Sequence, residues 1–220
     1  MTNTDDKYAH KVAAQQVGIF ETPIAYCQIN EGETFLQELE RRVRERMHNE
    51  PGLNRSNVGG WHSDTNMLQW GGPAAERLAR SAIKICKKMS QFKESSVEDH
   101  DWSVCMWANV TPKGGLNNLH AHPGNLWAAV LYLEMGLDAE SDASNGAFYV
   151  EDPRFPMSAM HNTAFRMTGV DGKPQEFELE FKLQRSSLLV FPAWLRHGVR
   201  LYSGNRERVS IAMNIDAKLR

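Results

Sequence analysis

Three stretches decide how this chain folds: Trp102-Ser103-Val104-Cys105-Met106-Trp107-Ala108-Asn109-Val110, then Asn118-Leu119-His120-Ala121-His122-Pro123, then Leu126-Trp127-Ala128-Ala129-Val130-Leu131-Tyr132-Leu133. Short runs of apolar, β-branched and aromatic residues, divided by Gly, Pro, Asn and Asp, are the pattern of antiparallel strands. Runs of this kind continue downstream, and strands are expected over 102–110, 117–122, 126–134, 146–150, 177–183, 187–192, 197–203 and 207–215. Strands of that number and length make a double-sheet jelly roll.

Upstream of about residue 100 the apolar period lengthens to that of helices. Phe35, Leu39, Val43 and Met47 recur every fourth residue with Arg and Glu between them, and Thr34 with Gln37 offers a capping box. A second helix is expected to open at Pro73 after Gly71-Gly72, with Ala75, Leu78, Ala79, Ala82, Ile85, Cys86 and Met89 along one face. The expected fold is mainly β with flanking helices: one domain over 1–220, a helical part over about 1–100 packed on the larger sheet of a jelly-roll core over about 101–215. Two loops break the strand rhythm, an acidic, Ser-rich one over Asp138–Asn145 and a long one over Asp152–Pro174, which has the length of a lid over a site.

A chain of 220 residues with 41% hydrophobic and 24% charged residues folds around a real core rather than staying disordered. Lys and Arg number 25 against 27 Asp and Glu, so no positive field draws in nucleic acid or an anionic membrane. Cys27, Cys86 and Cys105 are odd in number and form no CxxC, and are expected to be buried thiols in a reducing compartment. The stretch Met1–Gln16 is polar without an apolar h-region, and Leu126–Leu133 is far short of a membrane span, so a cytoplasmic location without membrane association is expected.

Of the eight histidines, three sit where strands are expected: His120 and His122, two residues apart, and His197 after Phe191-Pro192-Ala193-Trp194. Residues two apart on a strand project from one face, so His120 and His122 can present two imidazoles to one point while the third arrives from a neighbouring strand. Three such ligands hold a metal and leave positions open, as in mononuclear iron oxygenases. Arg208 follows His197 by eleven residues and shares one strand face with Ser210. A cation and a hydroxyl beside a metal form a receptor for a dicarboxylate, because guanidinium binds carboxylate as a rigid fork.

Taken in order, His120-x-His122, Ala128-Ala129-Val130-Leu131-Tyr132-Leu133, Gly146-Ala147-Phe148, Leu189-Val190-Phe191-Pro192, His197 and Arg208-x-Ser210 resemble the double-stranded β-helix of 2-oxoglutarate- and Fe(II)-dependent dioxygenases on the prolyl-hydroxylase-like side. Phe20-Glu21-Thr22-Pro23-Ile24, Ser56 to Ser63, Glu151-Asp152-Pro153-Arg154 and Arg208 to Asn214 narrow the resemblance to a small bacterial branch of these oxygenases. The resemblance covers residues 18 to 215 and implies Fe(II) as metal and 2-oxoglutarate as co-substrate, with His120, His122 and His197 as ligands. It implies Arg208 and Ser210 on the far carboxylate, Tyr132 as a further donor, and release of succinate and CO2 as a small-molecule or amino-acid side-chain substrate is hydroxylated. Trp61, His62, Asn109 and Asn125 are candidates for the substrate side, and the oligomeric state, a homo-oligomer included, is left open.

One position departs from the superfamily, whose triad is His-x-Asp or His-x-Glu plus a distal His, because His122 stands where the carboxylate belongs. Either the iron takes three imidazoles, or His122 supports it and Glu134 or Asp152 turns in; the register of position 122 and the affinity of imidazole for iron favour the first. A cupin reading has some support from Gly114 ahead of His120-x-His122, but the glutamate that a cupin places shortly afterwards is missing and Arg208-x-Ser210 goes unused. A non-enzymatic jelly-roll binding protein, with some of the six tryptophans lining a groove, is the remaining alternative.

Overall fold

Alternation along the strands sorts the side chains of this protein into two cores, and the boundary between them places the site. The computed structural model describes residues 11–30, 32–136, 145–154 and 162–220. Along the chain these form β1 (Ala25–Gln28), α1 (Glu33–Asn49), β2 (Asn57–Val58), β3 (Trp61–His62), α2 (Met67–Trp70), α3 (Gly72–Met89), β4 (His100–Thr111), β5 (Leu116–His120), β6 (Trp127–Glu134), β7 (Phe148–Glu151), β8 (Glu178–Phe181), β9 (Ser187–Pro192), β10 (His197–Val199) and β11 (Arg208–Leu219). Two antiparallel sheets result, one in the order β1-β9-β6-β11-β4-β3 and the other β2-β5-β10-β7-β8. This is the expected jelly roll with N-terminal helices on its larger sheet.

One face of the larger sheet meets the helices. Ala129, Leu131 and Leu133 of β6, Val209, Ile211 and Met213 of β11, and Met106 and Ala108 of β4 pack with Leu39 and Val43 of α1 and with Leu78 and Ala82 of α3. Leu39 and Leu78 are completely buried, and each such side chain contributes about 1.5–3 kcal/mol by leaving water. The alternate residues Ala128, Val130 and Tyr132 point the other way and meet Phe148, Val150 and Phe191 between the two sheets. By the same alternation Trp107 and Asn109 of β4, and Arg208, Ser210, Ala212 and Asn214 of β11, face the space between the sheets.

Several expectations need correction. β1 and β3 add strands to the larger sheet and β2 adds one to the smaller, so the stretch before residue 100 is not purely helical. The Thr34/Gln37 capping box does not form, because α1 begins earlier with Gly32 at its N-cap, and the Gln37 amide instead donates to the Glu33 carboxylate (3.0 Å). β5 ends at His120 rather than at 122: the His122 N–H leaves the ladder to donate to the Ala193 carbonyl (2.8 Å), and Pro123 has no N–H to continue it. The run 197–203 is a strand only to Val199, since the Tyr202 N–H turns away to the Gly115 carbonyl (2.8 Å). Cys86 is buried as expected, but Cys27 is half-buried and Cys105 is exposed. The 138–144 part of the acidic loop and residues 155–161 of the long loop lie outside the described residues. Among the described residues no helix is long and apolar enough to cross a membrane.

Candidate metal and co-substrate site

Strand pairing in the smaller sheet brings the first and third histidines together, for β5 and β10 are neighbours and their register sets His197 opposite His120. His122 arrives from just beyond β5, where its backbone bond to Ala193 ties it to the turn after β9. The rings lie 4.4 Å (120 to 197), 4.9 Å (122 to 197) and 5.0 Å (120 to 122) apart between centroids. One nitrogen from each lies within 4.8 Å of the others, close enough for one ion to draw in all three. Gly198 permits the neighbouring packing, because a Cβ there would stand 2.7 Å from the Tyr149 hydroxyl.

Hydrogen bonds choose the nitrogen each ring can offer. Nδ1–H of His120 donates to the Asn118 carbonyl (2.7 Å), that of His197 to the Leu195 carbonyl (2.9 Å), and that of His122 to Oδ1 of Asn214. The lone pair of each Nε2 is left for a metal. Burial lowers the pKa of all three imidazoles, and His197 is pushed down to about 3 by burial and then by its histidine neighbours. All are therefore neutral, the form that ligates, at pH 7.

No carboxylate joins this cluster among the described residues. Glu134 accepts from the Gly136 N–H (2.7 Å) and faces Arg206 (3.8 Å). Asp152 is occupied by Arg154 (2.9 Å); burial alone would raise its pKa, but the guanidinium overrides that and holds the carboxyl below its ordinary value.

The cavity beside the histidines extends to Tyr132 and Ser210, with Val130, Phe148 and Phe191 as apolar walls and Ser56, Trp107, Asn109 and Asn117 on the polar side. Arg208, 2% exposed, lies with its guanidinium 4.8 Å above the Tyr132 ring centroid. Among the described residues its buried Nε and Nη2 have no hydrogen-bond partner. A buried guanidinium in that state costs several kcal/mol unless an anion meets it, and it lies over Tyr132, which lines the cavity. Burial also raises the pKa of the Tyr132 phenol, against the pull of Arg208, which keeps the hydroxyl protonated and able to donate. A β-bulge between Val209 and Ser210 sits beside this pair and sets Ser210 opposite Tyr132 on β6 and Asn109 on β4. Three imidazoles on the cavity and a buried guanidinium over Tyr132, which lines it, fit Fe(II) and a dicarboxylate such as 2-oxoglutarate.

Of the four substrate-side candidates, only Asn109 lines the cavity, and its buried Oδ1 has no partner among the described residues. Trp61 packs towards the helices and its indole N–H donates to the Glu50 carbonyl (3.1 Å). His62 stands beside Asn109 in the same sheet, opposite it across β3 and β4, and stacks on Trp107 at 5.7 Å without lining the cavity. Asn125 braces its own turn by donating to the His122 carbonyl (3.4 Å). Trp107, Ser56, Asn117 and Asn214 were not singled out from the sequence. Trp107 and Asn214 could have been found there, since each shares its strand's inward parity with Asn109 or with Arg208 and Ser210.

Comparison with known proteins agrees with this geometry. A family described as "Putative 2OG-Fe(II) oxygenase" matches residues 105–214, half of the chain. The fold is similar to that of a Pseudomonas putida prolyl-4-hydroxylase (15% identity, TM-score 0.56, covering 88% of this chain and 91% of that one). It is also similar to HygX from Streptomyces hygroscopicus, solved with nickel and 2-oxoglutarate bound (14% identity, TM-score 0.58, 89% and 83% covered). The non-heme alpha-ketoglutarate-dependent epimerase SnoN from nogalamycin biosynthesis is a third (12% identity, TM-score 0.60, 90% and 80% covered). No curated protein matches the sequence. At these identities the structural likenesses speak for the fold, and the family match spans every residue of the histidine and arginine set, so the chain belongs to the 2-oxoglutarate- and Fe(II)-dependent oxygenases.

Proposed function

We propose that His120, His122 and His197 are the Fe(II) ligands of this oxygenase and that Arg208, Ser210 and Tyr132 receive the far carboxylate of 2-oxoglutarate. One observation carries the reading: three imidazole nitrogens gather at a cavity that Tyr132 and Ser210 also line, and over the Tyr132 ring lies the buried Arg208 guanidinium, with two nitrogens that have no partner among the described residues. Iron, when bound, supplies the chemistry in which O2 and 2-oxoglutarate become succinate and CO2 while a substrate C–H is hydroxylated. The chain's own part is orientation and shelter. Arg208 fixes one end of the co-substrate as a fork, Ser210 and Tyr132 add single hydrogen bonds, and Val130, Phe148 and Phe191 keep water from its middle. Ser56, Trp107, Asn109 and Asn117 face the substrate, and none carries a charge, which suits a neutral, hydrogen-bonding group on a small molecule or an amino-acid side chain.

Binding of 2-oxoglutarate to the metal-loaded protein, followed by succinate release, tests the reading. Metal-dependent binding that disappears in Arg208→Ala is expected. Metal binding without any 2-oxoglutarate binding would reject it.

A further inference from the structure

We propose that Asn214 is a positioning residue for His122, holding this third imidazole at the metal by a neutral acceptor that no local backbone group replaces. The proposal rests on the reading of His122 as an iron ligand and adds the group that makes such a ligand workable.

The three histidines are not held alike. His120 and His197 each donate Nδ1–H to the backbone carbonyl two residues earlier, Asn118 and Leu195, so their orientation is set by the local chain. His122 has left the strand, and its Nδ1–H reaches a side chain 92 residues away, Oδ1 of Asn214. Without that bond the ring keeps only packing contacts, with Trp107 at 5.7 Å and the other two imidazoles, to resist rotation about its last side-chain torsion. Nε2 would then swing away from the common point.

Asn214 stands on a rigid support. It lies in β11, between Cys105 of β4 and Ala128 of β6, on the face that also carries Arg208 and Ser210. One strand face therefore holds both the co-substrate anchor and the brace of the third ligand, and their spacing is fixed by the strand rise. The amide also adds no charge. It selects the Nδ1–H tautomer, so that Nε2 is the donor, while leaving the imidazole neutral; outer partners of this kind orient and tune metal-bound histidines.

The test is titration of apoprotein with Co(II), read by affinity and by the visible ligand-field spectrum, with no turnover required. Asn214→Ala should weaken Co(II) binding roughly 10–100-fold, the usual loss for such a partner, and alter the spectrum. Asn214→Asp keeps the acceptor and should stay within a few-fold of the parent. In a His122→Ala background, Asn214→Ala should have no further effect on affinity, because its target is gone. Should alanine loosen the strand, Asn214→Leu keeps the volume and lacks the acceptor, and the same loss is expected. Parent-like affinity in both the Ala and Leu variants, with His122→Ala still impaired, would overturn the role of Asn214 and leave the ligand set intact. An equal loss with and without His122 would overturn it as well, since Asn214 would then act on the fold. Parent-like affinity in His122→Ala itself would remove the ligand reading and the proposal together.

Discussion

The Arg208 guanidinium lies over the ring of Tyr132, 4.8 Å from its centroid, although the two residues sit on different strands, β11 and β6. A bulge between Val209 and Ser210 lies beside them, and the ring offers its π face to the cation. That contact tolerates burial of the charge without neutralising it. Nε and Nη2 are buried and have no hydrogen-bond partner among the described residues.

Arg208→Ala should leave metal binding intact and weaken 2-oxoglutarate binding by well over tenfold, because losing one partner of a buried charge pair commonly costs about 2–5 kcal/mol. Calorimetric titration of 2-oxoglutarate into Mn(II)-loaded protein measures this. Unchanged affinity would take Arg208 out of the site.

Tyr132→Phe should have a smaller effect. It keeps the ring under Arg208 and removes only the hydroxyl, whose hydrogen bond is worth about 0.5–1.5 kcal/mol, so a loss of a few-fold in 2-oxoglutarate affinity is expected in the same titration. A loss as large as that of Arg208→Ala would make the hydroxyl, not the guanidinium, the main anchor.

The metal-free protein should become less stable as the pH falls below the ordinary imidazole range. His197 has its folded pKa lowered to about 3 from 6.5, so below about pH 6.5 the unfolded chain takes up a proton that the folded chain refuses. Its contribution is complete above that pH and declines by up to about 1.4 kcal/mol per pH unit on the way down. His120 and His122 act in the same direction. Urea midpoints between pH 7 and 5 should fall, and more gently in His197→Gln; an identical slope in that variant would contradict the assignment.

Thiol reactivity should separate the cysteines. Burial pushes Cys86 up to about 12, and its side chain is inaccessible, whereas Cys105 is exposed. Alkylation at pH 8 followed by peptide mass analysis should label Cys105 in the folded protein and leave Cys86 unmodified until denaturant is added. Early labelling of Cys86 would mean that α3 detaches from the larger sheet.

The jelly roll was legible because its strands announce themselves by composition and by the turn residues between them. α1 and α3 were legible from one apolar stripe each, as Leu39 and Val43 or Leu78 and Ala82 illustrate, whereas the single turn of α2 was not. β1, β2 and β3 were not, being only two to four residues long and held by pairing with distant strands. The same division holds in the site. His120, His197, Arg208, Ser210 and Tyr132 lie within strands, where parity in the sequence gives direction in space. His122 was identified for a reason that the structure revises: it lies past the end of β5, and its place follows from the bond to Ala193 rather than from strand alternation. Trp61 and Asn125 misled because tryptophan and asparagine near a motif look functional, while the first packs on the helices and the second braces a turn.

In the proposed site three histidines, with no carboxylate, hold the iron. Anaerobic Fe(II) titration of His120→Ala, His122→Ala, His197→Ala and His122→Asp tests it most directly. The three alanine variants should lose affinity to a similar extent, and His122→Asp should bind better than His122→Ala, since aspartate restores the ligand type usual at that position. Parent-like iron binding in His122→Ala, together with its loss on substitution of Glu134 or Asp152, would contradict the account.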